Sequence, residues 1–135
     1  MTTARLLVVE DDPDTLELLT LWLSEKYCVF SYGCADEALT GLETAKPDLL
    51  LLDIGMRPID GLECLKEIRA MPGYGSIPAV ALTGYARDCE RAAFHAAGFQ
   101  AVLAKPVLDD EVFAAITAVL GPSGDQGSAQ SAVTV

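Results

Sequence analysis

Four apolar runs end in a residue able to do chemistry. LLVVEDD ends in Glu10, Asp11 and Asp12, DLLLLD in Asp53, PAVALT in Thr83, and QAVLAKP in Lys105 followed by Pro106. Clustered carboxylates repel one another unless a cation or a proton intervenes. A hard divalent ion such as Mg²⁺ suits oxygen ligands and commonly works beside phosphate oxygens. A carboxylate is also a nucleophile toward phosphoryl groups, giving an aspartyl phosphate. Such transfer needs positioning and neutralised equatorial oxygens, which a metal, an ammonium and a hydroxyl can supply. On this reading Asp53 is the nucleophile. Glu10 and Asp11 hold the metal, and Thr83 and Lys105 meet the transferred group. Singly, each residue has an ordinary role. Asp53 could start a turn or cap a helix, Thr83 could be a β-branched strand residue, and Lys105 could be a solvated lysine.

The elements around these residues must bring them together. Short apolar runs at 5–10, 28–32, 48–53, 78–83 and 100–105 read as strands. Amphipathic stretches lie between them. Pro13 opens one with Leu16, Leu19 and Leu23 on a face, and another covers 35–45. The third, 61–71, stops at Pro72-Gly73. A fourth, 86–97, ends at Gly98, and the last covers 108–120. Five strands alternating with five helices predict βαβ units and a doubly wound parallel sheet in a three-layer α/β/α sandwich. All strand C-termini then share one edge, where such sheets bind ligands. Residues 1–120 form one domain on this reading. The Gly-, Ser- and Gln-rich stretch 121–135 is a flexible tail.

Charge and composition narrow the function classes. A net charge of −11 disfavours nonspecific nucleic-acid binding and docking on anionic membrane. No run reaches the roughly 18 apolar residues a membrane span needs. The N-terminus meets acids too early for a secretory signal. Cys28, Cys34, Cys64 and Cys89 have neither CxxC nor zinc spacing. Reduced thiols in a cytoplasmic protein are the expectation. Asp12 and Asp14 flank Pro13 as helix-capping residues, and Asp60-Gly61 reads as a turn and helix start. His95 has no partner at metal spacing. Trp22 and Tyr27 pack around the end of the first helix. Arg87 and Arg91 lie on a solvated face, with a partner surface as the alternative.

Four segments taken in order carry a resemblance. LLVVEDDPD, LLLLDIGMRPIDG, PAVALTGYA and AAGFQAVLAKPV resemble the motifs of the receiver domain of two-component response regulators, over about residues 4–120. The resemblance implies a flavodoxin-like fold with strand order 2-1-3-4-5. Asp53 then accepts a phosphoryl group from a histidine kinase or histidine phosphotransfer protein. Glu10, Asp11, Asp53 and the Gly55 backbone carbonyl hold Mg²⁺, Thr83 and Lys105 respond to the phosphoryl group, and the bond to Pro106 is cis. The implied protein is a phosphorylation switch, not an enzyme. It would be a stand-alone receiver or phosphorelay intermediate without an output domain, acting on an unknown downstream protein with no direct nucleic-acid or membrane contact.

The sequence also departs from the family. Arg57 stands between Met56 and Pro58 where proline usually follows methionine directly. Val102 replaces the aromatic residue many receivers carry. Gly55 and Tyr85 occupy positions that, in the family, tune how long the phosphoryl group survives. Two rivals differ in class. An aspartyl-nucleophile phosphohydrolase usually has a DxDxT loop after its first strand and a cap domain, and neither is seen. A pseudo-receiver would never accept phosphate, against which the intact set of Glu10, Asp11, Asp53, Thr83 and Lys105 argues.

Overall fold

Residues 3–84 and 88–121 are described by the computed structural model. Five strands form one sheet: β1 (Arg5–Val9), β2 (Cys28–Tyr32), β3 (Leu49–Asp53), β4 (Ala79–Thr83) and β5 (Ala101–Ala104). All pairings are parallel, in the order β2-β1-β3-β4-β5. The helices are α1 (Pro13–Leu23), α2 (Ala35–Thr40), α3 (Leu42–Ala45), α4 (Gly61–Arg69), α5 (Asp88–Ala96) and α6 (Asp109–Leu120).

The three central strands are apolar on both faces because helices cover both. Successive side chains on a strand point to opposite sides. Leu6, Val8, Leu49, Leu51, Val80 and Leu82 accordingly meet Leu19 and Leu23 of α1 and Val112 and Ile116 of α6. Leu7, Val9, Leu50, Leu52, Ala79 and Ala81 face the other way. They meet Ala38 of α2, Leu42 of α3, Cys64, Leu65 and Ile68 of α4, and Phe94 of α5. Burial on both faces is what a near-continuous apolar run requires. β2 lies at the sheet edge and is half-buried along its length.

The second helical stretch differs from the single helix the spacing predicts. It divides at Gly41 into α2 and α3. The backbone nearly continues, since the Gly41 N–H donates to Glu37 and the Ala45 N–H donates to Gly41. Tyr32 explains the glycine, because its hydroxyl occupies the space a Cβ at position 41 would fill. The four cysteines are free. Burial pushes the Cys64 thiol up to about 12. Among the described residues no helix is long and apolar enough to cross a membrane. The tail expected at 121–135 falls outside the described residues beyond Gly121.

Candidate functional site

Parallel pairing places the tips of β1, β3 and β4 side by side. Val9 pairs with Leu52, and Asp53 with Leu82. Glu10 and Asp11 leave β1, Asp53 ends β3, Thr83 ends β4, and Lys105 follows β5. Thr83 pairs with Ala104, and the Lys105 N–H donates to the Thr83 carbonyl at 2.8 Å. The end of β5 is therefore held beside the β4 tip, one strand from Asp53. The Lys105–Pro106 bond is cis, as is Arg57–Pro58.

The carboxylates of Glu10, Asp11 and Asp53 each offer an oxygen within 4.8 Å of the others. Lys105 Nζ stands 3.0 Å from Glu10 Oε1 and 3.1 Å from Asp53 Oδ2. Backbone amides hold the acids from below. The Gly55 N–H donates to Asp53 Oδ1 at 3.0 Å, and the Asp12 N–H donates to Glu10 Oε2 at 3.0 Å. Asp12 in turn caps α1 by accepting from the Thr15 N–H, and Pro13 opens the helix. Glu10 and Thr83 are buried, while Asp11 is exposed. The Asp53 side chain retains only 4% exposure and that of Lys105 27%, so the acid is covered more closely than its loop sequence suggests.

The acids titrate as a pair with divided roles. Burial pushes the Glu10 carboxyl up to about 7, and the adjacent Asp53 adds to it against the hydrogen bonds from Asp12 and Lys105. Burial also acts on Asp53. There, hydrogen bonds shared with Glu10 and received from Gly55 and Lys105 prevail and hold it below the ordinary carboxylate range. Lys105 loses solvent, but its two acid partners outweigh that and hold it above its ordinary value. A proton on Glu10 thus accompanies a charge on Asp53.

A hard cation fits this donor set. All three ligating groups are carboxylate oxygens, and one ammonium offsets three acids. Glu10 Oε1 is buried and accepts no aligned hydrogen bond, despite the ammonium 3.0 Å away.

The predicted site residues Glu10, Asp11, Asp53 and Lys105 converge. Thr83 ends the neighbouring strand, and Gly55 meets the site through its amide, which donates to Asp53 Oδ1. Val102 is buried, and Arg91 of α5 donates to its carbonyl at 2.9 Å, an α5–β5 tie that no sequence signal announced. Tyr85 and Arg87 lie outside the described residues. His95 places Nδ1 2.9 Å from the Phe99 carbonyl at the end of α5. Beside the site, Thr15, Leu18, Leu19 and Trp22 of α1 face Lys105, Pro106 and Val107 across a recess of about 320 Å³.

Fold and acid cluster define a flavodoxin-like α/β protein with a cation-ready site at the carboxyl edge of its sheet. Residues 6–117 match the response regulator receiver domain, and the chain belongs to that family. It is 42% identical over 103 residues to an "Uncharacterized 14.6 kDa protein in sodA1 3'region" of Leptolyngbya boryana, covering 76% of this chain and 79% of that one. It is 35% identical to the transcriptional regulatory protein GlrR of Escherichia coli K12, over 97% of this chain but 30% of GlrR. The chain likewise spans 53% of the DNA-binding response regulator MtrA of Mycolicibacterium smegmatis. Among solved structures, a CheY-like receiver domain protein from Methanospirillum hungatei superposes with a TM-score of 0.79 at 27% identity, covering 90% of this chain and 97% of that one. Chemotaxis protein CheY4 of Vibrio cholerae shares the fold, with a TM-score of 0.83 at 24% identity and coverage of 88% and 100%. Receiver domains are signalling proteins that bind Mg²⁺ at an acidic pocket and interact with histidine kinases or phosphotransfer proteins.

Proposed function

We propose that this chain is a phosphorylation-switched receiver in which Asp53 accepts the phosphoryl group. The observation that carries the reading is the ion-paired cluster, with Glu10, Asp11 and Asp53 oxygens within 4.8 Å and Lys105 3.1 Å from Asp53. Asp53 is held ionised, as a nucleophile must be, and the Gly55 amide orients it through Oδ1. Glu10, Asp11, Asp53 and the Gly55 carbonyl would hold Mg²⁺, which neutralises phosphoryl oxygens when bound. Lys105 supplies a second positive charge, and the Thr83 hydroxyl stands at the next strand tip.

The donor is a histidine kinase or histidine phosphotransfer protein. The added charge biases α5, and a downstream protein reads the altered surface. The protein works in the cytoplasm, with residues 1–120 as its receiver domain and 121–135 as a tail.

Intact-mass measurement with acetyl phosphate tests the acceptor. One added phosphoryl mass is expected on wild type, only with divalent metal, and none on Asp53→Asn. An equal adduct on the variant would move the acceptor elsewhere. Multiple-turnover hydrolysis of phosphate esters would favour a phosphohydrolase instead.

A further inference from the structure

Gly61 opens α4, and its φ is not in the left-handed region. Its backbone is one an alanine could adopt, and alanine is the better helix former. What disfavours a side chain is contact. A Cβ at position 61 would lie 2.6 Å from the Asp53 carbonyl oxygen and 3.0 Å from both the Asp53 carbonyl carbon and Ile54 Cα. These neighbours are backbone, so no side-chain rotation relieves the clash.

The same stretch of backbone fixes the acid. Ile54 donates to the Leu82 carbonyl at 2.8 Å, tying the end of β3 to β4. Gly61 donates to the Ile54 carbonyl at 3.3 Å, closing the loop between β3 and α4. Buried Met56 anchors that loop in the core, and half-buried Ile59 packs against it. Within the loop, the Gly55 N–H holds Asp53 Oδ1. The first turn of α4 is itself fixed by Asp60, whose side chain accepts from the Glu63 N–H at 2.9 Å.

We infer that Gly61 is a positioning residue for Asp53: its missing Cβ lets α4 seat directly against the Asp53 peptide and so sets where the carboxylate stands. The inference rests on the reading of Asp53 as the phosphoacceptor. An alanine must open the contact by about 0.8 Å to reach ordinary separation. Misplacement on that scale costs a reaction about ten- to a hundred-fold.

The test compares wild type, Gly61→Ala and Gly98→Ala. Gly98 has φ +113° and a Cβ there would strike Arg69, but it follows α5 at the end of the sheet remote from Asp53. It controls for lost stability. Acceptance from acetyl phosphate with Mg²⁺ is measured per folded molecule, and the Gly55 amide is followed by ¹⁵N NMR. Gly61→Ala should accept about ten- to a hundred-fold more slowly and shift the Gly55 amide. Gly98→Ala should lose stability and do neither. Wild-type acceptance and an unmoved Gly55 signal in Gly61→Ala would overturn the inference, as would equal loss of acceptance in Gly98→Ala. If Gly61→Ala does not fold, Asp60→Ala loosens the same helix start. A several-fold loss of acceptance with a shifted Gly55 amide is then expected, and no change overturns the inference. Should wild type accept no phosphoryl group, the acceptor reading fails, while the Gly55 amide still reports on the seat.

Discussion

Glu10 offers the most direct check on the acid cluster, because burial places its carboxyl at about 7 rather than 4.5. A divalent ion displaces a ligand proton before it binds, so affinity follows the ionised fraction. That fraction is about a tenth at pH 6 and about nine tenths at pH 8. Asp53 is held low and stays ionised throughout. Apparent Mg²⁺ affinity should therefore rise about tenfold between these pH values and level off above. The metal-free fold should move the opposite way. A carboxyl whose folded value lies above its unfolded value binds more protons when folded. The contribution of Glu10 is then fully favourable below about 4.5 and lost as pH rises through about 7, roughly 3 kcal/mol in all. Titration calorimetry in two buffers of different ionisation enthalpy reads both affinity and proton release. Nearly one proton should leave per ion bound at pH 6 and almost none at pH 8. Glu10→Gln should bind more weakly with no such release. Constant affinity across the range, or release persisting in the variant, would refute the assignment of the proton to Glu10.

Other parts of the molecule answer to simpler measurements. Lys105→Met leaves two buried acids facing each other, and urea unfolding at pH 8 should show a loss of about 1–3 kcal/mol. At pH 5, where Glu10 is protonated, the loss should shrink. Leu50→Ala empties a fully buried position on the central strand and should cost about 2–5 kcal/mol by denaturant midpoint. Arg5 holds the Ala45 and Thr44 carbonyls at the end of α3 and lies 4.8 Å over the Phe30 ring, so Arg5→Ala should cost about 1–2 kcal/mol. A loss below about 0.5 kcal/mol would make that contact ornamental.

The sheet was legible because its runs are too apolar to face water. Leu49–Leu52 pack on both sides, and no half-solvated strand would carry four leucines in succession. Strand C-termini then dictated the site, and Glu10, Asp11, Asp53 and Lys105 converge as chain polarity requires. Strand order came from the family resemblance, since alternation alone leaves it open. Other features escaped, the Arg91–Val102 tie among them. Gly41 divides a helix because of Tyr32, a residue from another element, and local periodicity carries no trace of that contact. The Gly55 and Asp12 amides grip the acids through backbone atoms, which every residue type but proline supplies. The ion pair over Asp53 depends on where Lys105 leaves β5, and that is set by β5 pairing with β4.

The recess between α1 and the turn after β5 has an optical consequence. The chain contains one tryptophan, and Trp22 lines that recess together with Lys105. Its fluorescence is therefore uncontaminated by other indoles and reports on how α1 packs against the turn after β5. Any event that alters the packing of that turn on α1 should register as a change in emission, giving the molecule a built-in gauge that needs no dye.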